Sequence, residues 1–272
     1  MRTVITVGVD NIAANGLKGE WGLSLFIEYG ENKILLDTGG SGLFLKNYEK
    51  LGIDIADVDY AVLSHAHCDH ANGMPAFFEH NSKAKFYVSE NTAADCYGQI
   101  LFVKFYCGIP KTLMSGYADR IVKVPEFYEI TDGVYIVGHR SGGYPEVGKK
   151  GHMLRRRSGA WMPDDLCHEQ SLVLDTDKGL VILNSCSHAG PENIMAEVSE
   201  AFPDKKIYGY LGGLHLWDRP ESDIREVARV FKESGVQYVA TGHCTKDRAF
   251  NILKEELGDN IEQFRTGLVI EV

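Results

Sequence analysis

Three histidines and an aspartate fall within six residues, in Ser64-His65-Ala66-His67-Cys68-Asp69-His70, directly after an apolar run at 60–63. A string of the form H-x-H-x-D-H arises by chance in roughly one chain in a thousand of this composition. A short apolar run of this kind reads as a buried strand, which puts the string on the loop where that strand ends. A tight loop there can aim alternate imidazoles at one cation and the following aspartate and histidine at a second. Neutral imidazole and carboxylate are good ligands for zinc, manganese or iron.

Other ligand-type residues stand at comparable places. Asp37 ends the run 33–36, His188 follows 180–184, His215 follows 207–211 and His243 follows 237–241. With the loop 65–70 this makes five strand exits, each with a ligand-type side chain near Gly or Ser. Ligands of α/β proteins gather at the carboxyl ends of strands. Further strands are predicted at 4–7, 24–28, 86–88, 134–137 and 171–174, and helices at 42–51, 91–105, 192–201, 221–234 and 247–257. This mixture predicts sheets packed on one another with helices outside. Residues 23–39 and 171–188 repeat one plan, strand, turn, strand and a ligand-type residue, as two similar halves would.

At 272 residues, 44% hydrophobic and 24% charged, without a Pro/Ser-rich linker, the chain predicts one domain over 1–272. A formal charge of -10 argues against nucleic acid and anionic membranes as partners. No apolar run approaches the roughly 18 residues that span a bilayer. The opening MRTVITVGVDN lacks a signal peptide's long apolar stretch, so a cytoplasmic protein is expected. The six cysteines include no C-x-x-C pair and read as small core hydrophobes of a reducing compartment.

HAHCDH, with LLDTG upstream and SCSH, GGLH and TGHC downstream, resembles the metallo-β-lactamase superfamily. More narrowly, the chain is similar to the branch named for dihydropteridine-ribofuranosylaminobenzene phosphate synthase. The opening VDN (9–11), GLSLFIE (22–28), PDDLCHEQSL (163–172) and TGHCT carry that likeness along nearly the whole chain. The resemblance implies a four-layer αββα sandwich, two mixed β-sheets flanked by helices. It assigns His65, His67 and His188 to a first metal ion and Asp69, His70 and His243 to a second, with Asp37 orienting the loop. It implies two divalent ions, zinc first, with manganese or iron as alternatives. The carboxylate that bridges the two ions elsewhere in the superfamily is missing, because Gly212-Gly213-Leu214-His215 fills that stretch. His215 is left as a ligand or an acid-base and substrate-binding group. The chain departs from the branch at Trp21, where a histidine is frequent, and at Ala66 and Asn72, where glycines are.

Such ions lower the pKa of bound water from 15.7 to about 7, which supplies hydroxide at neutral pH. The expected function is therefore hydrolysis of a small ester or phosphoester, with Asp69 and His215 at the chemistry. The alternative is a pterin-synthase-type transferase in which an aryl amine displaces diphosphate. Arg155 and Arg156 are candidates for a substrate phosphate, with Lys149 and Lys150 nearby, and Glu169 for a place at the substrate. The stretch 100–106 is read as helix packed on the core, or as the wall of a pocket for a flat ring. A redox di-iron protein is disfavoured because His67 stands where such sites use glutamate, and a ligand sensor because the ligand set is complete. An oligomer is compatible with all of this.

Overall fold

The computed structural model describes residues 2–14, 16–139 and 143–272. Two seven-stranded sheets face each other. The first runs, in spatial order, Val269–Glu271, Thr3–Val9, Ser24–Tyr29, Asn32–Leu36, Tyr60–Val62, Lys85–Ser89 and Ile121–Val124. The second runs Ile261–Gln263, Tyr238–Thr241, Ile207–Leu211, Gly179–Leu183, Gln170–Thr176, Val134–Gly138 and Phe127–Thr131. In each, an antiparallel hairpin leads into parallel strands: Leu25 pairs with Leu36 and Leu36 with Val62, as Leu172 pairs with Leu183 and Leu183 with Leu211. The repeated plan in the sequence is thus a repeated topology.

Inward-facing side chains of both sheets, among them Ile5, Ile27, Ile34, Leu172, Val181 and Leu211, form one shared core. On the outer face of the first sheet the helices Leu43–Lys50 and Met74–His80 bury Phe44, Tyr48, Phe77 and Phe78 against Phe26, Leu35 and Phe86. The helices Pro191–Ala201, Glu221–Glu233 and Lys246–Leu257 cover the second sheet with Ile194, Val198, Ile224, Phe231 and Leu253. Both faces of each sheet are covered, which is why its strands read as continuous apolar runs rather than alternating ones. The layers are helix, sheet, sheet, helix. Among the described residues no helix is long and apolar enough to cross a membrane.

The predicted helix over 91–105 is corrected. Cys96–Ile100 and Val103–Tyr106 form a hairpin in a third, four-stranded sheet with Met153–Arg157 and Ala160–Pro163. Tyr97, Ile100, Val103, Phe105 and Tyr106 are β-branched or aromatic and prefer a pleated surface. Leu101 takes the turn at φ 52°. The tip neither packs on the core nor walls a pocket: Phe102 is 97% exposed.

Candidate metal centre

The five strand ends converge. Asp37, leaving its strand at φ 59°, accepts hydrogen bonds from the Ser64 amide (2.7 Å), the Ser64 hydroxyl (2.6 Å) and Nδ1 of His70 (2.8 Å). Ser64 Oγ, its proton given to Asp37, accepts from Nδ1 of His65 at 2.8 Å. Across the site Nδ1 of His243 donates to Asn11 Oδ1 at 3.1 Å, and the Asn11 amide is oriented by Nδ2 donating to the His243 carbonyl at 3.0 Å. One nitrogen of each of these rings is engaged as a donor, which turns its Nε2 toward the centre and fixes the tautomer.

Those Nε2 atoms meet in pairs. His65 faces His188 at 3.3 Å, and His70 faces His243 at 3.3 Å. Asp69 Oδ2 lies 3.3 Å from Nε2 of His243 and 3.5 Å from Nε2 of His70. Donor atoms of His65, His67 and His188 all lie within 4.8 Å of one another. The side chains that the resemblance assigns to each ion are therefore neighbours, and all six come to one place.

The supporting shell is backbone-directed. Glu169 accepts the amide protons of His188 (2.7 Å) and Ala189 (2.9 Å), and Asp10 accepts those of His243 (2.8 Å) and Ile12 (2.9 Å). His168 Nδ1 accepts the Ala66 amide at 3.1 Å while its Nε2 meets Asp164 at 3.1 Å, which pins the middle of the H-x-H loop. The Cys68 amide donates to the Cys107 carbonyl at 2.8 Å. Gly22, at φ 152°, passes so close to Asp69 that a Cβ there would stand 2.4 Å from the Asp69 carbonyl oxygen. Any side chain at 22 would push the loop away.

Burial sets the charges. Desolvation, then the neighbouring imidazoles, holds His65 and His188 well below the ordinary histidine value; desolvation also brings His67 down to about 4. These rings are neutral at pH 7, as ligands must be. His70 differs: burial opposes its charge, but Asp69 and Asp37 on either side outweigh burial and raise it to about 10. His139 is raised to about 9 against burial by Glu169 and Glu197, which it touches at 3.0 and 2.8 Å. Burial raises Asp10 to about 6.

Three expectations are corrected. Arg155 is fully buried, its guanidinium paired with Asp95 at 2.8 Å and Asp165 at 3.1 Å, so it staples the small sheet and cannot meet a phosphate. Arg156 is exposed on that sheet with its guanidinium 5.2 Å from the centre of the Trp161 ring, and lines no part of the cleft beside the histidines. Both arginines lie on the strand Met153–Arg157. Glu169 is buried with its oxygens engaged, and acts on His188 rather than on substrate. Arg155→Ala is expected to lower stability by about 3 kcal/mol, because it removes a buried guanidinium and leaves Asp95 and Asp165 only the partly exposed Arg157, while kcat/KM of the folded fraction stays unchanged; urea melts and steady-state kinetics check this.

The cleft itself, about 310 Å³, is lined by His188 and His215 on one side and by Lys150, Glu192, Arg219 and Asp223 on another. His215 Nδ1 is buried there without a hydrogen-bond partner, and its ring centre is 4.3 Å from that of His188. Trp21 stands exposed at the rim, 4.9 Å from the His243 ring, with Lys246 Nζ 4.3 Å from its own ring centre. The sequence alone does not single out Asp10, Asn11, His139, Asp164 or His168, because such hydrogen bonds leave no spacing pattern; the family-like VDN and PDDLCHEQSL runs hold the signal for all but His139.

Comparison with known proteins agrees with this geometry. A crystal structure titled Tm1679, a metal-dependent hydrolase of the beta-lactamase superfamily, is 30% identical, with 99% of each chain covered and a TM-score of 0.85. The 7,8-dihydropterin-6-methyl-4-(beta-D-ribofuranosyl)-aminobenzene-5'-phosphate synthase of Methanocaldococcus jannaschii is 25% identical over 92% of this chain and 89% of its own. The metallo-beta-lactamase fold protein YhfI of Bacillus subtilis shares the fold at 12% identity, TM-score 0.61. Residues 22–181 match the family model of the metallo-beta-lactamase superfamily, and the chain belongs to that superfamily.

Proposed function

We propose that this chain is a metal-dependent hydrolase that uses two divalent ions, zinc first among them, on a small ester or phosphoester. The observation that carries the reading is the spacing of the opposed nitrogens. Two imidazole nitrogens on one tetrahedral zinc, each at 2.0–2.1 Å, lie about 3.3 Å apart, and His65/His188 and His70/His243 each stand at 3.3 Å. Asp69 Oδ2 at 3.3 and 3.5 Å from the second pair makes a triangle of the same edge. His65, His67 and His188 would hold one ion; Asp69, His70 and His243 the other. When bound, two such ions activate water and neutralise a departing oxyanion.

The chain's own groups do the rest. Asp37, Ser64 and Asn11 hold the ligand rings in the required tautomer. His215, which lines the cleft, is placed to contact substrate or carry a proton. Lys150 and Arg219 are the cations that line the cleft, set among Glu192, Asp223 and Glu226. Metal quantification followed by a panel of phosphodiester, thioester, lactone and pterin-diphosphate substrates tests the reading; a chain that binds no ion and turns over none of them overturns it.

One observation favours the transferase alternative. The half-exposed indole of Trp21 sets an aromatic group beside His243, and the Methanocaldococcus relative is named as the synthase of a dihydropterin-methyl-aminobenzene phosphate. Diphosphate release that depends on an added aryl amine would select it over hydrolysis.

The metal-free charge state has a measurable consequence. Because His70 keeps its proton up to about pH 10, the second ion must displace that proton to bind. Release of the His70 proton alone is expected to lower the ion's apparent affinity about tenfold for each pH unit toward acid between roughly pH 8 and 6 and to contribute about one released proton, any thiol that ionises on binding adding another. Isothermal titration in buffers of different ionisation enthalpy reads both quantities.

A further inference from the structure

Two cysteines stand inside this centre. Cys186 and Cys244 are buried, their sulfurs 3.5 Å apart, and all six cysteines of the chain are free thiols. Cys244 lies against the stretch Gly212-Gly213-Leu214-His215. A Cβ added at Gly213, in that stretch, would stand 2.5 Å from Cys244 Sγ and 2.6 Å from the Ser185 carbonyl oxygen, so no side chain fits there.

The two sulfurs are not equivalent. Cys244 Sγ is turned to the protein frame and accepts the His215 amide at 3.3 Å. Cys186 Sγ is turned to the ligands and lies 3.3 Å from Nε2 of His70. A sulfur at 2.3 Å and a nitrogen at about 2.05 Å from one tetrahedral ion would be about 3.5 Å apart. Asp69 Oδ2, His70 Nε2 and His243 Nε2 already mark one face of such a tetrahedron, and a donor of Cys186 lies within 4.8 Å of His243. The same sulfur is also within 4.8 Å of donors of His65 and of His188, which belong to the other triad. A single atom therefore stands within reach of both ligand sets.

We propose that Cys186 is a thiolate ligand of the second ion. This rests on the two-ion reading above. A coordinating thiol loses its proton on binding, so Cys186 brings a negative charge to a centre whose other second-ion anion is Asp69. A sulfur ligand also biases the centre toward zinc, cobalt or cadmium and away from magnesium and manganese.

The test is anaerobic titration of the chelator-stripped protein with cobalt(II). The wild type should take up two ions, and a near-ultraviolet sulfur-to-cobalt charge-transfer band should grow with the second. Cys186→Ala should lose the band and bind the second ion at least about 100-fold more weakly, the upper end of what an outer-shell change costs. Cys186→Asp should recover the second ion without the band. Cys244→Ala should keep both. Two ions bound by the wild type with no band, or a band that survives Cys186→Ala and vanishes in Cys244→Ala, overturns the proposal while leaving two ions in place. One ion with a band that depends on Cys186 does the reverse: the thiolate stands and the two-ion reading falls.

Discussion

Asp69→Ala is expected to remove one divalent ion per chain and lower turnover by about a thousandfold, the scale lost when one electrostatic partner of a transition state is deleted. The expectation rests on position. Asp69 Oδ2 touches both Nε2 atoms of the second pair, and His70 and His243 pull its carboxyl well below the usual carboxylate range against its burial. Without it the two imidazoles face each other without the carboxylate that lies against both. Asp69→Asn keeps the shape and removes the charge, so it separates ligation from packing and should lose nearly as much. His65→Ala is the matching change at the other triad. Metal analysis after dialysis, paired with kcat on whichever substrate the panel identifies, is the measurement. Full occupancy and full turnover in both alanine variants would refute the assignment.

The second large effect concerns stability. Glu169→Ala is expected to cost about 3–5 kcal/mol, the range for leaving one partner of a buried ion pair uncompensated. Glu169 accepts three protons in a dry environment, two from the amides of the His188 turn and one from His139. Its loss leaves His139 with Glu197 alone and frees the loop that carries His188. The stability that His139 contributes is present at neutral pH. It is lost as pH rises through about 9, where the ring in the folded protein gives up its raised charge. Urea unfolding at pH 7 and pH 10 reads both: the wild type should weaken between them, and the Glu169→Ala protein, already weakened, should change less. Glu169→Gln keeps a carbonyl acceptor for one amide and should fall between the two. An alanine variant as stable as wild type would mean that the amides find other acceptors and that the network is incidental.

The loops that carry the converging histidines were legible because their chemistry is written locally. An H-x-H-x-D-H string after a buried strand can do few things, and the parallel strands leading to Asp37, His188, His215 and His243 are apolar runs that composition alone reveals. The hairpin at 96–106 was misread because Ile100, Leu101, Phe102, Val103 and Phe105 look like a core-facing helix when burial is assumed, whereas they project from a small sheet into solvent. Arg155 was misread for the opposite reason. A triple arginine looks solvated, yet Asp95, sixty residues away in sequence, makes one of the three an interior residue. Long-range pairing of this kind leaves no trace in spacing. The same holds for Cys186, which a sequence places beside a ligand but cannot aim.

His215 takes a left-handed backbone conformation at φ 47°, and so do Asp37, Ser187 and His243 around it. Strained dihedrals of this sort cost of order 1–3 kcal/mol each and persist only where the surroundings enforce them. His215 adds an imidazole nitrogen sealed from water with nothing to bond. A glycine would adopt these dihedrals without strain, so holding an imidazole at 215 costs the fold stability.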